Sequence, residues 1–213
     1  MQPTKSLTLT ATLVAVLISA AIPVYAQNAP AAPASTKATQ TSAALRDLWL
    51  GHAFWVRNVV TANLARNTTA ATAAENEVVA NARQIAAAIE PFYGKAASDK
   101  LFGLLAGHYG AVKQHLEAVL AGSQKKEDAA MKSLAGNVAE IAIFLSGANP
   151  NLPRDAVQGL LLAHVGHHQQ QIQQLRDKQY PQEAQTWDAM KGHMYVIADT
   201  LAGALAAQFP EKL

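Results

Sequence analysis

Three histidines are the residues of this sequence best suited to chemistry, because they recur at a constant interval. His52, His108 and His164 lie 56 residues apart, and each follows a leucine by four residues. On amphipathic helices this spacing turns all three imidazoles towards the interior. Imidazoles that converge at one height of a bundle form the ligand set that holds zinc, copper or iron with one position open. We therefore predict an interior metal site made by these three histidines.

Four other side chains are secondary candidates for the same site. His168 follows His164 by four residues, so the two share one face of their helix. His193 belongs to a second ring of inward polar residues, and Glu140 and Asp199 lie about one helical turn beyond that ring. A carboxylate in either place can bind the metal or orient a ligand histidine.

The repeated histidines also have interpretations that need no metal. Each can be a core residue with a local hydrogen bond, kept in all three places because the repeats share an ancestor. The protein is then a structural or interaction module, whose neutral histidines destabilise the fold as they become charged at low pH. A third interpretation is a b-type haem held near His193 by Met190 or Met194. The sequence leaves these alternatives open.

Three further polar residues are expected to have structural functions. Asn81 and Asn137 lie three or four residues from apolar neighbours, so we expect them to hydrogen-bond across helices and fix how the helices pack. Arg57 is the only strong cation in the apolar middle of the first helix. It is expected to pair with an inward carboxylate such as Glu140 or to stack on an aromatic ring, with a surface position as the alternative.

The elements that must position these side chains are helices. Apolar residues recur at three- and four-residue spacing from Ser42 onward, which is typical of amphipathic helices. No segment alternates with a period of two, so the predicted fold class is all-α. The six predicted helices cover residues 42–66, 72–90, 98–122, 125–146, 154–178 and 181–208.

The offset that relates the three histidines also relates other residues in both helices of each pair. Such self-similarity predicts three tandem helical hairpins, with repeats at about residues 42–97, 98–153 and 154–209. Each hairpin has an apolar stripe that must be covered, which predicts a six-helix bundle. A closed bundle around a pseudo-threefold axis is favoured over a short solenoid. The related positions include Leu48, Leu104 and Leu160; Asn81, Asn137 and His193; and Ile85, Ile141 and Ile197.

The beginning of the chain has the three parts of a secretory signal peptide. These are Lys5, an apolar stretch and a small-residue cleavage site that ends at Ala26, so residues 1–26 are expected to be removed from a periplasmic or secreted protein. Residues 27–40 are rich in Ala, Pro and Thr and predict a flexible tether, and residues 41–213 form the predicted bundle domain. No later segment is expected to span a bilayer, so no stable membrane insertion follows signal cleavage.

Composition narrows the possible functions. The chain has no cysteine, which excludes disulfides, thiolate metal sites and c-type haem attachment, so a metal would need nitrogen or oxygen ligands. The formal net charge is +2 with both signs interspersed, so nucleic acid is not an expected partner. The pattern identifies no protein partner. Because no Ser-His-Asp set or phosphate loop can be identified, an enzyme is the least supported class.

Five short motifs are spread over nearly the whole of the mature chain. They are Leu48-Trp49 with His52, Trp55 and Arg57; Pro91-Phe92-Tyr93-Gly94; Ile141-Ala142 with Phe144-Leu145-Ser146 and Ala148-Asn149-Pro150; His193-Met194 with Ala198-Asp199 and Leu201; and Gln208-Phe209-Pro210. Together they resemble a group of small bacterial helical proteins, mostly uncharacterised and sometimes labelled glycosyltransferase. The resemblance implies a shared helical fold and no established activity. A glycosyltransferase label lacks support in the sequence, because there is no Asp-x-Asp motif and no strand for a nucleotide-binding sheet.

Overall fold

The computed structural model describes residues 36–213, and within them every regular element is a helix. Six long helices and one short helix confirm the predicted all-α six-helix bundle. The expected signal peptide, residues 1–26, and residues 27–35 of the expected tether lie outside the described residues. The helices are α1 (Lys37–Leu64), α2 (Thr68–Ala87), α3 (Glu90–Tyr93), α4 (Lys95–Leu120), α5 (Gln124–Ala148), α6 (Arg154–Arg176) and α7 (Tyr180–Gln208).

The six long helices close into a ring. Each packs against the next long helix in the chain, and α7 packs back against α1. This closure is the arrangement favoured over an open solenoid. Helix α6 also contacts both α1 and α4 across the middle of the ring. These three helices carry the repeated histidines, so the topology brings the histidines towards one another.

One hydrogen bond recurs between the two helices of each hairpin. In all three places a side-chain nitrogen of the second helix donates to a backbone carbonyl oxygen of the first helix. The prediction that Asn81 and Asn137 hydrogen-bond across helices is therefore confirmed. The internal repeat itself stays a prediction, and the recurrence of this bond at a 56-residue offset agrees with it. The bonds are Asn81 Nδ2 to Leu48 O at 3.0 Å, Asn137 Nδ2 to Leu104 O at 3.0 Å and His193 Nε2 to Leu160 O at 2.8 Å.

Two glycines make room for the asparagines. A Cβ atom added at Gly51 would lie 3.2 Å from Nδ2 of Asn81, and one added at Gly107 would lie 3.3 Å from Nδ2 of Asn137. Both contacts are tighter than ordinary van der Waals separation. The absence of a side chain at these positions thus permits the close approach of the two helices. The corresponding residue in the third hairpin is Ala163, which stands opposite a histidine instead of an asparagine.

Apolar burial stabilises the ring. Trp49 and Val56 on the inward face of α1 are 5% and 1% exposed, and Met190 and Met194 on α7 are fully buried. Burial of one such large apolar side chain contributes roughly 1.5–3 kcal/mol relative to exposure. The core therefore supplies an apolar and closely packed environment for any polar group at its centre.

Helix α5 has the composition of a membrane span. It is the one described helix that is long and apolar enough, with a mean hydropathy of 1.2 in its most apolar window, of which 33% is buried. The expectation that no later segment spans a bilayer stays a prediction. Its inward residues, including Val138 and Ile141, are buried in the bundle core, and core helices of bundles often have this composition.

Helices α1 and α2 begin earlier than the sequence pattern predicts. Helix α1 begins at Lys37, so residues 37–40 of the expected tether are helical. Helix α2 begins at Thr68, four residues early, because the side chain of Asn67 accepts a 3.0 Å hydrogen bond from the backbone N–H of Ala70. This cap lies outside the apolar pattern on which the predicted start was based.

The connection between the first two hairpins contains a short helix that the pattern does not predict. Helix α3 is a single turn at the Pro91 motif, and α4 then begins at Lys95, three residues earlier than expected. Gly94 joins the two helices with a φ of 81°, a conformation that glycine adopts without strain. The residues on both sides of Gly94 are therefore helical.

Candidate metal centre

Four histidines from three helices meet at the centre of the bundle. His52 lies on α1, His108 on α4, and His164 and His168 lie one turn apart on α6. Their exposed fractions are 7%, 4%, 1% and 3%, respectively. The prediction that the three repeated histidines point inward is therefore confirmed, and His168 joins them.

Three of the four have a spacing close to that of a metal site, and we call them the histidine trio: His52, His164 and His168. One ring nitrogen from each lies within 4.8 Å of the other two. Their ring centroids are 5.4 Å (His52 to His164), 5.7 Å (His52 to His168) and 4.4 Å (His164 to His168) apart. Imidazoles on one tetrahedral metal, with bonds of about 2.0–2.1 Å, have centroids about 5 Å apart and nitrogens about 3.3 Å apart. The centroid distances within the trio lie on both sides of this value.

His108, which the sequence places in the ligand set, lies beside the histidine trio. Its ring centroid is 5.8 Å from that of His164 and 6.5 Å from that of His52. Its Nδ1 donates a 3.0 Å hydrogen bond to Oδ1 of Asn137, whose amide orientation is fixed by its bond to Leu104. Nε2 of His108 is therefore a lone-pair acceptor, and it is buried without a hydrogen-bond partner among the described residues.

The first hairpin lacks the hydrogen bond that anchors His108. Asn81 donates to Leu48 as Asn137 donates to Leu104, but Oδ1 of Asn81 is buried with no partner in the described part of the chain. The ring of His52 lies instead 5.4 Å from that of His164. His52 thus belongs to the central cluster and is not tied to its own hairpin.

Burial keeps these imidazoles neutral at neutral pH. It lowers the pKa of His52 to about 3, with a smaller contribution from His108. Burial, and then the neighbouring imidazoles, lower the pKa of His164 and of His168 well below the usual histidine value. Burial also lowers the pKa of His108, although its hydrogen bond to Asn137 acts in the opposite direction. A neutral imidazole has the free lone pair that metal binding requires.

Several ring nitrogens in this cluster are buried and unpaired. Both nitrogens of His164 and Nε2 of His168 have no hydrogen-bond partner within residues 36–213. An unpaired buried polar group costs roughly 1–3 kcal/mol, so such groups are rare in folded proteins. Several of them together make this cluster a candidate site for a ligand. The donor set fits a metal, because neutral imidazole nitrogens are good ligands for zinc and copper.

The other secondary candidates lie away from the histidine trio. His193 is half-buried and engaged with the Leu160 carbonyl oxygen, and Glu140 is exposed on α5. Asp199 accepts hydrogen bonds from Ser42 and from the guanidinium of Arg46. The structure therefore brings His168 into the site and leaves His193, Glu140 and Asp199 outside it.

Arg57 has a partner that the sequence analysis did not name. Its Nε and one terminal nitrogen donate to the two carboxylate oxygens of Glu183 at 2.7 and 2.8 Å. The expected pairing with an inward carboxylate is confirmed, since Glu183 is buried. The carboxylate is not Glu140, because Glu183 in the first turn of α7 lies beside α1. The expected aromatic contact is present, since the guanidinium lies 5.8 Å from the ring centroid of Trp187. The guanidinium lowers the pKa of Glu183.

A second group of buried polar residues was not among the predicted site residues. His115 is 2% exposed with both ring nitrogens unpaired among the described residues. Burial lowers the pKa of His115, and the Glu127 carboxylate acts in the opposite direction with a smaller effect. Glu127 is 8% exposed and accepts a hydrogen bond from Gln173 at 3.1 Å. The signal was present, because Glu127 and Glu183 are also 56 residues apart.

No protein-family model, no curated protein and no solved structure matches this chain. The resemblance to small bacterial helical proteins therefore stays an expectation from the sequence motifs.

Proposed function

We propose that this chain is an exported binding or scaffold protein whose histidine trio holds one zinc or copper ion. The observation that carries the proposal is the trio itself. His52, His164 and His168 are three neutral, buried imidazoles with ring nitrogens within 4.8 Å of one another.

The chemistry of the donors restricts the metal. The trio offers nitrogen only, and the chain has no cysteine. Calcium and magnesium prefer oxygen ligands, whereas imidazole suits zinc and copper. Three histidine ligands leave one coordination position open, as in catalytic rather than structural zinc sites.

The bound ion would also link two helices. His164 and His168 are four residues apart on α6, and His52 comes from α1. A metal shared by these helices stabilises the folded state, because the unfolded chain has no preformed site. Metal binding is therefore expected to raise the melting temperature as well as to be measurable directly.

The exported location is supported by the signal-like pattern of residues 1–26. Expression of the full chain in a Gram-negative host, followed by fractionation and N-terminal sequencing, tests it. We expect periplasmic protein that begins at Gln27. Full-length protein retained in the cytoplasm would contradict export without bearing on the metal.

The metal proposal is tested by titration of protein purified without a histidine tag. Zinc and copper are titrated in competition with a chelator into the wild type, His168→Ala and His167→Ala. His167 is the matched control, because it is adjacent in sequence but half-buried and close to His193, with ring centroids 5.5 Å apart. We expect one ion per chain in the wild type and in His167→Ala, and none in His168→Ala. Equal affinities of the two variants would refute the proposal.

A structural module without a ligand is the competing function. The hydrogen bond between His108 and Asn137 favours it locally, since a self-satisfied core histidine needs no metal. It predicts that no histidine variant changes any binding property. The haem hypothesis receives less support, because Met190 and Met194 are fully buried in packed core. The cavity lined by three of the histidines measures about 20 Å³, whereas cofactor pockets commonly have several hundred.

A further inference from the structure

Two small apolar cavities lie side by side in the core. The larger, about 40 Å³, extends towards the end of the bundle at Tyr93 and Asn149, and the smaller, about 20 Å³, lies deeper. Their walls have four residues in common, so they are neighbours. These are Trp49, Ile85, Leu105 and Ile141.

The smaller cavity borders the candidate metal centre. His52 and His164 of the histidine trio form part of its wall, together with His108. The remainder of the wall is almost wholly apolar, with residues such as Val78, Ala82 and Leu161. Away from the histidines, an ion in this space would lose its hydration without compensation, whereas an uncharged molecule would not.

The same wall has polar atoms with no partner in the described structure. They are the hydroxyl of Tyr109, Nε1 of Trp49, Nε2 of His108 and both ring nitrogens of His164. Tyr109 is 9% exposed, and burial raises the pKa of its hydroxyl, so this group is neutral. The cavity is therefore bordered by residues with unpaired polar atoms, while its surface is almost wholly apolar.

We propose that these two cavities bind a small uncharged molecule of two or three heavy atoms, and that this molecule occupies the open position of the metal. An apolar cavity of about 150 Å³ takes up benzene or xenon, and one of about 10–15 Å³ has room for a water. Cavities of about 40 and 20 Å³ lie between these sizes, which suits a molecule of two or three heavy atoms. Dioxygen, nitric oxide and carbon monoxide belong to the class that fits. Only the contact with a metal rests on the proposed function, because the cavities belong to the fold.

The cavity is tested first in the metal-free protein. Crystals of the wild type are pressurised with xenon, and xenon binding in solution is followed by nuclear magnetic resonance. Ala82→Val adds two methyl groups to the wall of the smaller cavity, and Ala80→Val makes the same change at an exposed position of α2. We expect xenon in the wild type and in Ala80→Val, with an affinity about tenfold lower or more in Ala82→Val. No xenon in the wild type, or equal binding in both variants, would overturn the proposal.

The link to the metal is tested with copper(I)-loaded protein and carbon monoxide. We expect an infrared C–O stretch that shifts in Tyr109→Phe, because Tyr109 lines the same cavity as His52 and His164 and the change removes its hydroxyl. A copper(I) protein that binds no carbon monoxide would overturn the link. If the protein takes up no copper, the proposed function fails, and the xenon experiment still decides whether the cavity binds small molecules.

Discussion

The first and second hairpins place a histidine and an asparagine at positions related by 56 residues, yet the two pairs behave differently. His108 donates to Oδ1 of Asn137 at 3.0 Å, whereas Oδ1 of Asn81 has no partner among the described residues. His52 lies with the other imidazoles at the centre. The second hairpin thus forms a histidine–asparagine hydrogen bond, whereas the described residues of the first hairpin form none between His52 and Asn81.

This difference bears on whether the repeated histidines are explained by shared ancestry alone. If the histidines were kept only as core residues of a repeated hairpin, both pairs would be expected to form the same local hydrogen bond. Instead, His52 does not form that bond, and its ring centroid lies 5.4 Å from that of His164 and 5.7 Å from that of His168. The first and third hairpins thus supply the histidine trio, while the second supplies a fixed imidazole at its side.

The largest effect is expected for His164→Leu, which removes the imidazole that lies closest to the others. Metal affinity should fall by at least about a hundredfold, since loss of a ligand exceeds the loss seen for groups that only orient a ligand. In the metal-free protein the same change should not lower the free energy of unfolding, because two unpaired buried nitrogens are removed. Chelator competition and urea denaturation measure the two quantities. A strongly destabilised variant would show that His164 has a structural function.

Acid should destabilise the metal-free protein. Unfolded histidine titrates near pH 6.5, but folded His52 titrates near pH 3, so the unfolded state binds more protons between these values. The free energy of unfolding should be constant above about pH 7 and fall below it by about 1.4 kcal/mol per pH unit for each such histidine. In His52→Leu the number of protons bound on unfolding should fall by about one, which makes this slope less steep. An unchanged slope in that variant would contradict the burial of a neutral His52.

The two pairs are compared directly by His108→Leu and His52→Leu in metal-free protein. His108→Leu leaves Oδ1 of Asn137 buried without its donor, so we expect the free energy of unfolding to fall by roughly 1–3 kcal/mol. His52→Leu removes no described hydrogen bond and should be close to neutral. Urea denaturation at pH 8 measures both, away from histidine titration. Equal losses would mean that the two pairs are energetically alike.

The smallest effect is expected at a carboxylate that the sequence analysis proposed as a ligand. Asp199 pairs with Arg46 at the surface, and such pairs contribute about 0–1 kcal/mol. Asp199→Asn should leave metal affinity unchanged and stability nearly so. A tenfold loss of zinc or copper affinity, measured by chelator competition, would place this carboxylate in the site after all.

The sequence predicted the helices and their inward faces because both depend on local apolar periodicity. It predicted that His52, His108 and His164 are buried for the same reason. It ranked His168 below His108, because the residues 56 and 112 positions earlier are Val112 and Val56. A prediction from the repeat favours residues that are present in all three hairpins. A site can instead take two ligands from one hairpin and none from another.

The remaining differences arise from contacts that periodicity does not report. Glu183 pairs with Arg57 because the ring closes and brings α7 against α1, a fact of topology rather than of spacing. The hydrogen bond of His108 to Asn137 depends on a ring orientation that no pattern encodes. The cavities beside Trp49 depend on side-chain volumes from all seven helices. The fold was thus largely predictable, and the composition of the site was not.

X-ray absorption spectroscopy of the zinc-loaded, untagged protein tests the central claim most directly. It reports the number and type of atoms around the metal. We predict nitrogen neighbours at about 2.0–2.1 Å together with the outer scattering of three imidazoles. This signal should be lost in His168→Ala and kept in His167→Ala. Zinc that is removed by dialysis, or a shell of oxygen atoms without imidazole scattering, would contradict a metal site at the histidine trio.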